Sequence, residues 1–168
     1  MADNDAETGG SAPQPNGADT SPQLGLIAQY VKDLSFENPS APAIYQSQQQ
    51  PEIDVQFNIG TTQVADDLHE VSMKIEVRAT AGSTTAFAVE LVYAGLFGAR
   101  NVPEDQLRPF LYAEAPRLMF PFARAIVADA IRDGNFPPLL LDPIDFGALY
   151  AQQSQTQALA EGEPAGQA

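Results

Sequence analysis

The stretch APRLMFPFARAIVADAIRDGNFPP, residues 115–138, is the longest part of the chain that has the pattern of one helix. Gly134 and the proline pair after it predict where this helix ends, and Pro121 marks either its true start or a kink. Apolar residues recur at spacings of three and four, and their arc is wider than a helix needs to pack on its own sheet. This width predicts a second partner, either another subunit or a bound ligand, for the face made by Leu118, Met119, Phe122, Ala123, Ile126, Val127, Ala130 and Ile131.

Three segments before the helix alternate apolar and polar residues, which is the pattern of strands. They are residues 53–59, 71–79 and 86–93, and the third is apolar on both sides. A strand that is apolar on both sides needs cover on both faces. Short turn sequences at residues 60–62 and 81–83 separate the segments, and connections this short require antiparallel neighbours.

Two further stretches precede these strands. Residues 23–37 mix apolar and polar residues over strand length, and the sequence NPSAP then supplies a turn or loop. Residues 41–51 contain two prolines and a glutamine cluster, which predicts an extended loop that crosses to the next strand. The predicted sheet is an antiparallel meander.

Helical patterns follow the last predicted strand. Residues 106–114 carry apolar residues at helical spacing and lead into the long helix, and Asp145 is predicted to cap a final short helix through Leu149 and Tyr150. Both ends of the chain are polar and acidic. We therefore predict a disordered acidic tail at residues 1–22, a single domain at residues 23–150, and the end of the last helix with a disordered tail at residues 151–168.

The net charge limits the partners that the chain can have. The 168 residues carry a formal charge of -14, with 22 acids against 8 Lys and Arg. Such a charge repels phosphate backbones and anionic lipids, so we predict no nucleic-acid binding and favour a basic partner. No secretory signal and no apolar run long enough to insert into a membrane is found, which predicts a cytoplasmic protein.

No catalytic, metal or cofactor motif stands out. Cysteine is absent, and the one histidine, His69, has no serine in an activating context. The cluster at residues 66–70 contains residue types that can bind a metal, but neighbours in an extended chain point to opposite faces and no second cluster supplies further ligands. A polar turn that enters a strand is the better interpretation. No phosphate-binding or dinucleotide motif occurs.

The acids leave two alternatives open. Pairs such as Asp142 with Asp145 can in principle serve acid–base catalysis, although solvated carboxylates are the more frequent case. The acids on the predicted strands fall mostly on the polar side of the alternation. They form either a surface that only keeps the protein soluble or a docking face for a basic partner, and the pattern favours neither.

Four motifs, in this order and spacing, resemble the SecB family of bacterial export chaperones. They are VKDLSFENPSAP, QVADDLHEV, TTAFAVELVYAGLFG and the long-helix stretch with the PIDF and ALY that follow it, and they extend over about residues 24–150. The resemblance implies an α+β fold: a four-stranded antiparallel sheet with a crossover loop, packed with a long helix and shorter helices on one side. It also implies a homotetramer built as a dimer of dimers, with no catalytic activity and no cofactor.

The resemblance further implies a function and its residues. Members of the family hold unfolded preproteins in the cytosol without ATP and deliver them to the translocation ATPase SecA. The residues that match the family's SecA-docking face are Asp33, Glu37, Ala88 and Glu90, of which Ala88 is smaller than the residue common there. The client groove matches Tyr45, Ile53, Val55, Phe57 and Tyr150, and the subunit contact matches Val89, Leu91 and Tyr93.

Two other functions remain as alternatives. A small α+β hydrolase or isomerase that uses paired carboxylates predicts acids that converge in a pocket and have raised pKa values. An interaction domain for a folded partner predicts equal binding to native and denatured preprotein. The export chaperone is the leading hypothesis.

Overall fold

The computed structural model describes residues 19–162. Most of the predicted N-terminal tail and the end of the predicted C-terminal tail lie outside the described residues. Within them, four strands precede three helices in chain order. The strands are β1 (Gln23–Glu37), β2 (Glu52–Ala65), β3 (Leu68–Ala81) and β4 (Thr84–Arg100).

The four strands form one antiparallel sheet in the order β1-β4-β3-β2. Strands β2, β3 and β4 are a meander, and β1 pairs with β4 at the far side. The connection from β1 to β2 therefore crosses the whole sheet, and it contains a short 3-10 turn at Ala43–Gln46. The predicted α+β class with a four-stranded antiparallel sheet and a crossover connection is confirmed.

Side chains alternate between the two faces of a strand, so every second residue of the central strands β3 and β4 lies under the helices. On β3 the buried residues are Val71, Met73, Ile75, Val77 and Ala79, and the residues between them reach the opposite face. Cross-strand partners share a face in an antiparallel pair, so the register carries this alternation across the sheet. We call the helix-covered side the inner face and the other side the outer face.

The turn between β2 and β3 lies later than the sequence predicted. Residues 60–62 continue β2, which ends at Ala65, and the turn is made at Asp66 and Asp67. Asp67 has a φ of 57°, a left-handed conformation that Asp tolerates better than most residues. The interpretation of the cluster at residues 66–70 as a polar turn that enters a strand is thus confirmed. The prediction of a turn at residues 60–62 is wrong. The turn predicted at 81–83 is confirmed, with Gly82 at a φ of 62°.

The helical part of the chain begins before the long-helix stretch at residues 115–138. Helix α1 (Glu104–Pro109) passes through a π-helical turn (Phe110–Glu114) into α2 (Ala115–Asp133). Pro121 lies inside α2 and does not start it. The helix ends at Gly134, as predicted, and the amide of Gly134 donates to the carbonyl of Ala130 (3.1 Å).

The final helix, α3 (Phe146–Glu161), is longer than predicted. Asp145 caps it as expected, because its Oδ1 accepts a hydrogen bond from the Ala148 amide (2.9 Å). The helix does not stop near Tyr150 but continues through a Gln- and Ala-rich segment whose side chains are exposed. The prediction of a disordered tail is therefore wrong for residues 158–161.

The hydrophobic core lies between the inner face and α2. It contains the inner rows of β3 and β4 together with one face of α2. From α2 it takes Ala115, Met119, Phe120, Ala123, Val127 and Ile131. The predicted helix face is thus only partly right, because Phe120 is buried while Leu118 and Phe122 are exposed.

Candidate functional site

The outer face of the sheet carries the predicted acidic residues. Register pairs Glu37 with Ala88 and Ser35 with Glu90 across β1 and β4, so Glu37 and Glu90 are diagonal neighbours. Such neighbours lie about 7–8 Å apart on the same face. Asp33 pairs with Val92 and extends the row along β1. The four residues predicted to dock SecA therefore share one face of two adjacent strands.

A shallow cavity of about 420 Å³ lies on this face. Three of the four predicted docking residues line it, namely Glu37, Ala88 and Glu90, whereas Asp33 does not. Its other lining residues come from all four strands, and the charged ones among them are Asp54 of β2 and Glu76 and Arg78 of β3. We call Glu37, Asp54, Glu76 and Glu90 the acidic face.

A lysine that the sequence did not single out lies within the acidic face. Lys74 on β3 is 3.2 Å from Glu90 Oε1 on β4 and 3.3 Å from Glu76 Oε1 on its own strand. Hydrogen bonds to Glu76 and then to Glu90 raise the pKa of Lys74. Alternation placed Lys74 on the polar side of β3, but only the register between strands brings it to Glu90.

A second polar cluster lies on the outer face toward the other end of β1. The Lys32 ammonium is 2.8 Å from Glu70 Oε1, and the Tyr30 hydroxyl donates to Glu70 Oε2. The hydrogen bond from Lys32 and then that from Tyr30 lower the pKa of Glu70. Donation to Glu70 raises the pKa of Tyr30 to about 12. The cluster stabilises the ionised form of Glu70.

The inner face of β2 carries the predicted client residues. Ile53, Val55 and Phe57 alternate along it, with Ile53 at 43% exposure and the other two half-buried. Phe57 packs against Phe120 of α2, with ring centroids 6.2 Å apart. These apolar side chains lie at an edge of the sheet that α2 covers only in part.

Aromatic residues lie at both ends of this strand face. At the Ile53 end, Tyr45 of the crossover connection packs on Phe136 (5.6 Å between centroids), and its hydroxyl donates to the Gly134 carbonyl (2.8 Å). At the other end, Tyr150 of α3 stacks on Tyr112 (5.8 Å), whose hydroxyl accepts a hydrogen bond from Thr61 of β2. The five predicted client residues therefore come from three elements around one strip of β2.

The residues predicted to contact another subunit lie in the chain's own core. Val89, Leu91 and Tyr93 are on the inner face of β4, and none exceeds 6% exposure. They pack under α2, so they have almost no surface to offer to a second copy. The assignment is wrong because a strand that is apolar on both sides gives no indication of which side its own helix covers.

A different apolar surface is left uncovered in the single chain. The inner row of β1 contains Leu24, Leu26, Val31 and Leu34, which are 39–45% exposed because β1 is an edge strand. On α2, Leu118 is 41% exposed and Phe122 is 51% exposed. We call these six residues the apolar edge. Leu118 and Phe122 account for the excess width of the apolar arc of α2.

The acids and helices of residues 19–162 bear on the hydrolase alternative and on membrane insertion. Among residues 19–162 no charged side chain is buried, and both carboxyl groups with a shifted pKa, Asp19 and Glu70, have it lowered. The converging acids with raised pKa values that the hydrolase alternative requires are thus not found in this part of the chain. No group of three or more His, Asp or Glu suited to a metal ion occurs in the same range. None of the described helices is long and apolar enough to cross a membrane.

Comparison with known proteins identifies the family. The family described as "Preprotein translocase subunit SecB" matches residues 17–157. The Protein-export protein SecB of Rhizorhabdus wittichii is 69% identical over 163 residues, which cover 96% of this chain and 98% of that protein. The protein of the same name from Sphingopyxis alaskensis is 59% identical over 172 residues, which cover 100% of both chains.

One solved structure has the same fold. It is a SecB-like chaperone of Mycobacterium tuberculosis in complex with a ChAD peptide from an antitoxin, with a TM-score of 0.60. Its sequence is 16% identical, and the match covers 72% of this chain and 90% of that one. The fold and the sequence matches together define an export chaperone of α+β architecture. The chain belongs to the SecB family.

Proposed function

We propose that this protein is a cytoplasmic chaperone that holds unfolded preproteins and delivers them to SecA without using ATP. The observation that carries the proposal is the separation of its surfaces. The acidic face lies on the outer face of the sheet, and the exposed apolar strips lie on the inner side with the helices. One protein can therefore bind an apolar client and a basic partner at the same time.

The strip along β2 is suited to an extended client. From Ile53 to Thr61 the strand runs for about 26 Å at the usual rise per residue, with Tyr45 at one end and Tyr150 at the other. Because β2 is an edge strand, its backbone can pair with an added peptide while the apolar side chains bury the client's own. Burial of apolar surface is non-directional, so many sequences can bind.

The acidic face is suited to a basic partner. Glu37 and Glu90 both line the cavity and are accessible to water, so a lysine or arginine of a partner can reach them. Charge complementarity of this kind mainly sets partner choice and association rate. We assign this face to SecA, with Glu37, Ala88 and Glu90 in the cavity and Asp33 beside it.

The apolar edge is suited to self-association into a dimer of dimers. Large apolar side chains that are exposed in groups often mark a surface that binds another protein. The exposed side chains of β1 and α2 are therefore assigned to contacts between copies, in place of Val89, Leu91 and Tyr93. Light scattering of the purified protein should give four times the mass of one chain.

An aggregation assay tests the proposal. A preprotein diluted from denaturant should scatter less light as this protein is added, with no nucleotide present and no further effect of ATP. The folded form of the same preprotein should not bind. Undiminished aggregation, or protection that requires ATP, would contradict a holding chaperone, and equal binding of the folded form would favour an interaction domain instead.

A pair of variants locates the client surface. Ile53 and Val64 are both exposed aliphatic residues of β2, but only Ile53 lies in the predicted groove. Ile53→Ser should raise the protein concentration needed for half-protection, whereas the matched control Val64→Ser should leave it unchanged. Equal effects of the two substitutions would remove the assignment of the groove to this part of β2.

A further inference from the structure

The acidic face contains its own counterion. Lys74 is 3.2 Å from Glu90 and 3.3 Å from Glu76, and its side chain is 37% exposed. An ammonium group has three donors, so one lysine can bind both carboxylates at once. The register places Glu76 directly opposite Glu90 across β3 and β4.

This position gives Lys74 two opposing effects. It relieves the repulsion between two carboxylates that face each other across a strand pair, which favours the folded sheet. It also occupies the carboxylate oxygens that a basic partner would use, and its charge repels the partner's cation. Neither effect is large at an exposed site, because water and salt screen both.

We propose that Lys74 is an internal competitor for the basic partner: docking requires a cation of the partner to take over the carboxylates that Lys74 holds. The inference rests on the proposed assignment of the acidic face to SecA and adds a regulating residue to it. Lys74 thereby lowers the affinity of the acidic face for the partner.

The expected effect follows from the charges. Two unit cations about 6 Å apart in water repel enough to weaken binding about threefold at low salt. Lys74→Gln should therefore tighten binding of SecA by about threefold. The gain should shrink as salt is added. The same variant should have a slightly lower melting temperature, because Glu76 then faces Glu90 without a cation between them.

Two controls separate this role from a change in net charge. Arg117→Gln removes one positive charge from α2, where Arg117 pairs with Glu114 (2.8 Å), and should leave SecA binding unchanged. Lys74→Gln made in a Glu90→Gln background should gain less than half as much as it does alone. Isothermal titration calorimetry on the full-length chain measures all four variants.

The outcomes are distinct. Tighter binding by Lys74→Gln, with less than half of that gain in the Glu90→Gln background, supports the inference. Unchanged or weaker binding overturns it, and so does an equal gain from Arg117→Gln or a gain of half or more in the double variant. If the wild-type protein does not bind SecA, or if Glu90 does not matter for binding, the proposed docking face itself fails. If SecA binding depends on Glu90 but is not changed by Lys74→Gln, only the role of Lys74 as a competitor is wrong, and the docking face stands.

Discussion

Tyr30 on β1 is hydrogen-bonded to Glu70 on β3, two strands away in the sheet. The distance from the hydroxyl to Glu70 Oε2 is 2.5 Å, and the bond passes over β4, the strand between them. Lys32 reaches the other oxygen of the same carboxylate (2.8 Å). Register shifts in β1 occur on either side of Tyr30, between Leu26 and Ala28 and between Val31 and Asp33. The cluster thus ties the edge strand to the middle of the sheet without backbone pairing.

Tyr30→Phe should lower the free energy of unfolding. The substitution removes a hydrogen bond to a charged acceptor on a partly buried carboxylate, which is worth about 1–2 kcal/mol. Urea denaturation followed by circular dichroism measures the loss. Tyr150→Phe is the matched control, because the Tyr150 hydroxyl has no hydrogen bond within residues 19–162. Equal losses in the two variants would show that the Tyr30 contact does not stabilise the fold.

The same cluster predicts two changes of stability with pH. Glu70 has a lowered pKa in the folded state, so its contribution is present above its ordinary value of 4.5 and is lost as pH falls below it. Tyr30 has a raised pKa of about 12, so its contribution is present below its ordinary value of 10 and is lost as pH rises from there toward 12. Melting temperature recorded against pH measures both. In a Tyr30→Phe variant the alkaline decline should be shallower; an unchanged decline would contradict the assignment.

Gly134→Ala should be destabilising, although the backbone there has an ordinary negative φ. A Cβ at this position would overlap the ring of Phe36, which lies between the end of α2 and Phe87. Overpacking of this kind costs about 1–3 kcal/mol. Gly25→Ala is the control, since a Cβ on Gly25 meets nothing within 4 Å. Thermal unfolding of the two variants measures the difference, and equal stabilities would mean that the Phe36 ring moves aside freely.

Local patterns predicted the sheet well and the ends of elements less well. Alternation identified the strands and their buried rows because one face of each lies against the helices. It failed at residues 60–62, since glycine is frequent in turns but β2 continues through Gly60 and its two strand-forming threonines to Ala65. The helical spacing of apolar residues also missed the second half of α3. This segment has no apolar face and is helical through the propensity of its Ala, Gln and Leu residues.

The binding surfaces depend on relationships that one segment cannot reveal. The sequence placed Glu37 and Glu90 on polar strand faces, and family resemblance named their partner. Neither the sequence pattern nor the resemblance indicated that Lys74 contacts Glu90, because this contact is fixed by the register between β3 and β4. The helix period identified a wide apolar arc on α2, yet only packing decides that Phe120 is buried and Phe122 exposed. The subunit surface was misplaced for the same reason.

Phe122→Glu should dissociate the proposed tetramer without unfolding the chain. The side chain is 51% exposed in the single chain, so the substitution buries no charge until copies associate. Light scattering should give a smaller assembly, and circular dichroism should be unchanged. Leu140→Glu is the control, because Leu140 is also exposed but lies outside the apolar edge. A Phe122→Glu protein that keeps its full mass would exclude this part of α2 from the subunit contact.

Charge reversal at Glu90 should separate partner binding from client binding. Glu90→Lys places a second cation beside Lys74 and removes one carboxylate from the acidic face, so affinity for SecA should fall at least tenfold at low salt. Glu37→Lys should have a similar effect, because Glu37 lines the same cavity. Both variants should protect an unfolded preprotein from aggregation as well as the wild type does, since the client groove lies on the inner face.

Glu52→Lys is an additional control for SecA binding, which it should leave unchanged. It reverses an acid on β2 that does not line the cavity. If protection against aggregation were lost together with SecA binding, one surface would serve both partners, and the separation on which the proposed function rests would be wrong.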